Sequence, residues 1–195
     1  SLQLGSYAPA VTAESSPAAI KGRLSTMLEA DDFYAVFART EFDYGPVFRS
    51  VQQMWFGEGE LLAAISLPAD LLSHESSYVL HPGIMDGALQ AAGWLANFDF
   101  LQRAHPYIPA SLGSLKIHSA PALQCYAWVK ENSSQGTAEQ KVYDISLLNE
   151  QGEVLVALSG YSLKAMHITE EPAQGYVRKV WQAASLPAAQ LPAGQ

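Results

Sequence analysis

The sequence predicts an α+β domain in which an antiparallel sheet wraps around one long helix. Three observations carry that reading. Residues 83–96 are apolar on nearly every side, with Ile84, Met85, Leu89, Ala92 and Leu95 spread around the helix, so this helix must be buried. Two strand-like runs precede it at 51–56 and 60–67, and further runs follow at 107–118, 123–131, 141–148 and 153–166. A lone apolar helix needs a cover and an antiparallel sheet has a face to bury, so the economical solution packs one around the other.

The elements follow in chain order. Residues 5–19 are rich in Ala, Ser and Pro and read as linker, and 183–195 repeat that character. The expected partition is linker over 1–29, a folded unit over 30–168 and linker again over 169–195. Asp31 and Asp32 are candidate N-caps for a short helix over 33–38. Tyr44-Gly45-Pro46-Val47-Phe48 is a turn or helix entry, because proline suits a first helical turn. Gly57-Glu58-Gly59 joins the first two strands as a hairpin, and Asn149-Glu150-Gln151-Gly152 joins the last two. In the final strand Val154, Val156 and Leu158 alternate with Leu155, Ala157 and Ser159, which predicts burial on both faces. One buried helix inside such a meander is a fold of hotdog type.

Bulk properties narrow the function. Apolar residues make up 49% of the 195 and charged ones 15%, which fits a globular domain with one substantial core. A net charge of −8 argues against nucleic-acid binding. No apolar run approaches the ~20 residues of a membrane span, and no secretory leader is visible. The single cysteine, Cys125, reads as a small buried hydrophobe and fits a reducing, cytoplasmic setting. No histidine, cysteine or carboxylate cluster has metal-ligand spacing. The opening at Ser1 reads as the start of an excised piece.

The chemistry concentrates on the buried helix. Asp86 and Gln90 stand four residues apart and share one face, continued by Gly93 and Asn97. A carboxylate on so apolar a helix must be hydrogen-bonded, hold its proton, or face a ligand cavity. On the residues alone, the pair is either a satisfied polar pin within the core or a proton-donating acid with its orienting amide. His81, followed by Pro82, reads as a structural residue at the helix start.

Several segments, taken together, resemble the dehydratase domains of modular polyketide synthases. They are Asp32-Phe33-Tyr34, Tyr44-Gly45-Pro46-Val47-Phe48, Leu80-His81-Pro82-Gly83-Ile84-Met85-Asp86-Gly87-Ala88-Leu89-Gln90, Tyr107-Ile108-Pro109-Ala110-Ser111 and Gly160-Tyr161-Ser162-Leu163-Lys164. Each is weak alone, but their order and spacing are specific. The resemblance implies a double hotdog whose first copy carries a His-x3-Gly-x4-Pro motif and whose second carries Asp-x3-Gln or Asp-x3-His. Asp86 and Gln90 match the second motif, and Tyr44 matches a Tyr-Gly-Pro tyrosine that lies near the aspartate. None of the five histidines (His74, His81, His105, His118 and His167) fits the first motif. The chain therefore resembles the C-terminal half of such a domain.

What the resemblance implies is a lyase that removes water from a β-hydroxyacyl thioester. Asp86 would be the general acid, Gln90 and Tyr44 its helpers, and a histidine from the other half the base. Gly45, Pro46 and Phe48 would line the substrate. No cofactor is expected, since the substrate rides on the phosphopantetheine arm of an acyl carrier protein. Expected partners are that carrier, neighbouring synthase domains, and an N-terminal hotdog or a second copy; nucleic acid and membrane are not expected. The segment 169–195, with Tyr176-Val177-Arg178-Lys179-Val180-Trp181, would lead to the next domain. Two alternatives stand beside this: a non-catalytic scaffold or dimerisation hotdog, and a relative that shifts double bonds or closes oxygen rings.

Overall fold

The structure is a computed structural model, and it describes residues 15–39, 44–68, 78–97 and 106–166. Residues 1–14 of the expected linker over 1–29, all of the expected linker over 169–195, and His74, His105 and His167 lie outside the described residues.

Among the described residues eight strands form one antiparallel sheet: β1 (Thr26–Glu29), β2 (Val51–Gly57), β3 (Glu60–Ser66), β4 (Tyr107–Ser111), β5 (Ser114–Ile117), β6 (Gln124–Glu131), β7 (Gln140–Leu148) and β8 (Val154–Ala165). Their order is β1-β2-β3-β6-β7-β8-β4, with β5 also paired to β8. Among the described residues three α-helices accompany them: α1 (Pro17–Arg23), α2 (Ala30–Arg39) and the long α3 (Pro82–Asn97). Helix α3 packs on β2, β3, β4, β6 and β7, and its Ile84, Ala88, Ala91 and Ala92 enter a core with Ile65, Ala127 and Ile145 from the sheet. The expected hotdog arrangement is what the chain adopts.

Small residues set the distance between helix and sheet. A side chain at Gly87 would run into Ser50 Oγ, and one at Gly83 would come within 2.7 Å of the Val47 carbonyl. Ser50 Oγ donates to the Gly83 carbonyl at 2.7 Å, tying the first turn of α3 to the entry of β2. At the other end, Asn97 accepts from Tyr107 N–H at 2.8 Å and donates to its carbonyl at 3.1 Å, so one amide fastens α3 to β4.

Four expectations need correction. Residues 1–29 are not all linker, because Ser16 caps α1 and β1 pairs with β2. The four residues Thr26-Met27-Leu28-Glu29 form an exposed edge strand, too short and too polar to announce itself by alternation. Helix α1 lies on the outer face of the sheet, where Ile20 is buried with Leu62 and Leu148. The short helix begins at Ala30, so Asp31 and Asp32 sit in its first turn, where their charges favour the dipole, rather than at its cap. The run 107–118 is two strands, interrupted where Gly113 N–H donates to the Gly160 carbonyl and Gly160 takes a φ of +68°. Strand β8 is buried on one face around Val156 and Leu158, while Leu155 and Ala157 are only half-buried.

Candidate functional site

Helix α3 starts where Pro82 enters the first turn and His81 Nδ1 accepts from Gly83 N–H at 3.1 Å. The imidazole thus serves as a cap, which is the structural role expected of it. One turn further, Gln90 Nε2 donates to Asp86 Oδ2 at 2.6 Å, as the i to i+4 spacing predicts. Asp86 is half-buried, whereas Gln90 is only 4% exposed.

The Gln90 amide is the hub of a closed network. Its Nε2 also donates to the Phe48 carbonyl at 2.9 Å, and its Oε1 accepts from the Tyr34 hydroxyl at 3.2 Å. Two acceptors on the nitrogen and one donor on the oxygen fix which way the amide points. Tyr34 in turn accepts from Val51 N–H at 3.0 Å and stands 3.3 Å from the Phe48 carbonyl, its alternative acceptor. Burial, foremost, pushes the Tyr34 phenol up to about 12, so it keeps its proton throughout the neutral range. The short 3-10 turn Pro46–Phe48 delivers the Phe48 carbonyl to this network. Gln90 therefore holds one carboxyl oxygen of Asp86, while Oδ1 carries no hydrogen bond among the described residues.

Tyr44 stands beside the acid without bonding to it. Its ring packs edge-on against Phe37, with centroids 5.3 Å apart, and against Tyr34 at 6.1 Å. Its phenol is raised by burial first and then by the negative charge of Asp86, which places it within electrostatic reach of that carboxylate. Among the described residues Tyr44 makes no hydrogen bond to Asp86, and Gln90 is the helper that donates to the carboxyl. Gly45 and Pro46 are exposed and Phe48 is 41% exposed, and of the three only the Phe48 carbonyl bonds to the Asp86–Gln90 network. Cys125 is buried in the core, and burial pushes its thiol up to about 12.

Two residues were not singled out for the site by sequence. Tyr34 lies on the buried face of α2 beside Phe33, where the pattern marks it only as a core aromatic. Tyr161, on β8, is raised to about 12 by burial, then by the charge of Asp86 and by the Tyr44 phenol. Among the described residues no group of three or more histidine, cysteine or acidic side chains could hold a metal. No helix among them is long and apolar enough to cross a membrane.

Known proteins share this architecture. The family model described as the polyketide synthase dehydratase N-terminal domain matches residues 12–173. Polyketide synthase PksN of Bacillus subtilis is 37% identical over 141 residues, which is 68% of this chain and 3% of that multienzyme. The crystal structure of a trans-AT polyketide synthase dehydratase domain from Brevibacillus brevis is 27% identical with a TM-score of 0.68, over 82% of this chain and 54% of that one. The CurK dehydratase, crystallised as an inactive aspartate-to-asparagine mutant, is 25% identical with a TM-score of 0.63, over 74% of this chain and 50% of its own. This chain thus spans about half the length of the dehydratases it matches and a small part of the synthases. With a match across most of its length, the chain belongs to the polyketide synthase dehydratase family.

Proposed function

We propose that this chain is the aspartate-bearing hotdog of a β-hydroxyacyl dehydratase, with Asp86 as its general acid. The observation that carries the reading is the fixed Asp86–Gln90 pair: one carboxyl oxygen is held at 2.6 Å and the other has no hydrogen bond among the described residues. The matched family model is described as an N-terminal domain. The motif favours the second half instead, since Asp86-x3-Gln90 is present and no histidine begins a His-x3-Gly-x4-Pro sequence. Matched dehydratases about twice as long as the aligned region support a two-part domain.

The chemistry follows from what the leaving group needs. A base takes the α-proton, the C–H electrons form the Cα–Cβ double bond, and the Cβ–O bond breaks. Hydroxide leaves poorly, so Asp86 Oδ1 gives its proton to that oxygen and water departs. The Gln90 donor then faces a full carboxylate, and a hydrogen bond to a charged acceptor is stronger than one to a neutral acid. That difference favours the transition state over the ground state. The base would be the histidine of the other hotdog, and the substrate a β-hydroxyacyl thioester on an acyl carrier protein. Gly45, Pro46 and Phe48 would border its entrance.

The test is Asp86→Asn in the complete dehydratase, followed by product formation from a β-hydroxyacyl carrier substrate. A loss of roughly 10²–10⁴-fold is expected for removal of a general acid. Undiminished dehydration would overturn the assignment.

A further inference from the structure

The outer face of the sheet carries a second cluster, which the dehydratase reading leaves unused. Ile20 of α1 is fully buried there with Leu62 and Leu148, flanked by Trp55, Tyr126, Trp128 and Val154. These partners come from five adjacent strands, β2, β3, β6, β7 and β8. Both ends of the segment are fixed. At one end Ser15 and Ser16 lie against Gly152 in the β7–β8 turn, where an added Cβ would stand 2.8 Å from the Ser15 carbonyl. At the other, the Leu24 side chain would meet a Cβ at Gly57, the last residue of β2, at 3.4 Å.

Two cations in the last turn of α1 hold it down. Arg23 donates to Glu60 through Nε at 3.0 Å and through a terminal nitrogen at 2.5 Å, a two-point pair. Trp128 Nε1 donates to the same carboxylate at 2.6 Å, and the Arg23 guanidinium stands 5.6 Å from the Trp128 ring centroid. Lys21 Nζ sits 3.9 Å from the Trp55 centroid and 4.7 Å from that of Tyr126. Donation from Arg23, foremost, holds the Glu60 carboxyl below the usual carboxylate range, so the pair is charged at neutral pH. The seven residues of α1 fall well short of the ~12–15 that an isolated helix needs, so α1 is helical only while docked.

We infer that residues 15–24 form a latched strap, a segment that leaves the outer face and unfolds as one unit, with Glu60 as the catch that Arg23 closes. Docked, the strap fixes the upstream chain at the β7–β8 turn and covers the aromatic face of Trp55, Tyr126 and Trp128. Undocked, it frees that chain and uncovers the face. The core around α3 is a separate cluster and stays in place when the strap opens. This inference stands whether or not Asp86 is the general acid.

Trypsin reads the strap directly in the complete dehydratase, because Lys21 and Arg23 are cleavage sites that docking shields. Cleavage after Lys21 is followed by mass spectrometry in the wild type, Arg23→Gln, Glu60→Gln and the double variant. Cleavage after Lys116 and Lys164, in β5 and β8, reports wider unfolding. Each single variant should accelerate cleavage after Lys21 about three- to tenfold, the scale of a charge-assisted pair at a partly exposed position. The double variant should match the singles within about twofold, since both break one catch. Ile20→Ala removes the buried anchor and should accelerate cleavage further, while Lys116 and Lys164 are cut at wild-type rates. Unchanged cleavage after Lys21 in both single variants, multiplied effects in the double variant, or acceleration at Lys116 and Lys164 in step with Lys21 would each overturn the inference.

Discussion

Tyr34→Phe removes a single oxygen and should disturb the site more than its size suggests. That oxygen accepts from Val51 N–H at 3.0 Å and donates toward Gln90 Oε1 at 3.2 Å, and Tyr34, Gln90 and Val51 are all buried. Phenylalanine fills the same space, so no cavity term arises, but it strands one donor and one acceptor. Each stranded buried group costs about 1–3 kcal/mol, partly recovered if the Gln90 amide shifts, so a net loss of roughly 2–4 kcal/mol is expected. For a protein of this size that corresponds to a Tm lowered by about 4–16 °C. Urea unfolding should show the same loss as a lower midpoint at unchanged slope. Dehydration should also fall, because the amide that fixes Asp86 Oδ2 loses its own anchor. A Tm within about 1 °C of wild type would refute the claim that this hydroxyl locks Gln90.

Three further predictions separate packing from protonation. Gly87→Ala drives a methyl into Ser50 Oγ, which itself holds the Gly83 carbonyl, and should cost about 1–3 kcal/mol in urea titration. Gly93→Ala on the same helix meets nothing within 4 Å and should stabilise by roughly 0.5–1 kcal/mol. Burial raises the phenols of Tyr34 and Tyr161 from 10.0 to about 12 and the Cys125 thiol from 9.0 to about 12. Their neutral forms are favoured in the fold, so their stabilising contribution is complete below pH 9 and is lost as pH climbs toward 12. Each group contributes a slope of up to about 1.4 kcal/mol per pH unit within its window. Tm measured from pH 8 to 11 should fall, and Tyr161→Phe should flatten the part above pH 10.

The buried helix and its sheet were legible because burial leaves a periodic trace. Helix α3 and strands β2, β3, β6, β7 and β8 each begin and end within two residues of the expected positions. Strand β1 left no such trace: at an edge only Leu28 faces the core, and four residues cannot display a period. The same logic divides the site. Asp86 and Gln90 were legible because polar residues on an apolar helix are exceptions, and their contact is local in sequence. Tyr34 and Tyr161 were not, because a tyrosine in an apolar run looks like any core aromatic. Their significance comes from contacts across 56 residues to Gln90 and from an unpaired hydroxyl, both products of tertiary packing.

The network also explains why an acid on this helix can remain in place without the rest of a catalytic machine. Hydrogen bonds from Gln90, Tyr34 and Val51 and the Phe48 carbonyl close on one another within this chain, so the orientation of Asp86 Oδ2 requires no partner. Among the described residues, Asp86 Oδ1 and the phenols of Tyr44 and Tyr161 carry no hydrogen bond. A site built only for stability would pair or delete such groups, since replacing an unpaired buried tyrosine by phenylalanine removes its cost. Their retention around a single rigid carboxyl is what a substrate oxygen would require. Under the proposed dehydratase reading, the fold would supply a preorganised acid whose remaining bonds a substrate oxygen completes.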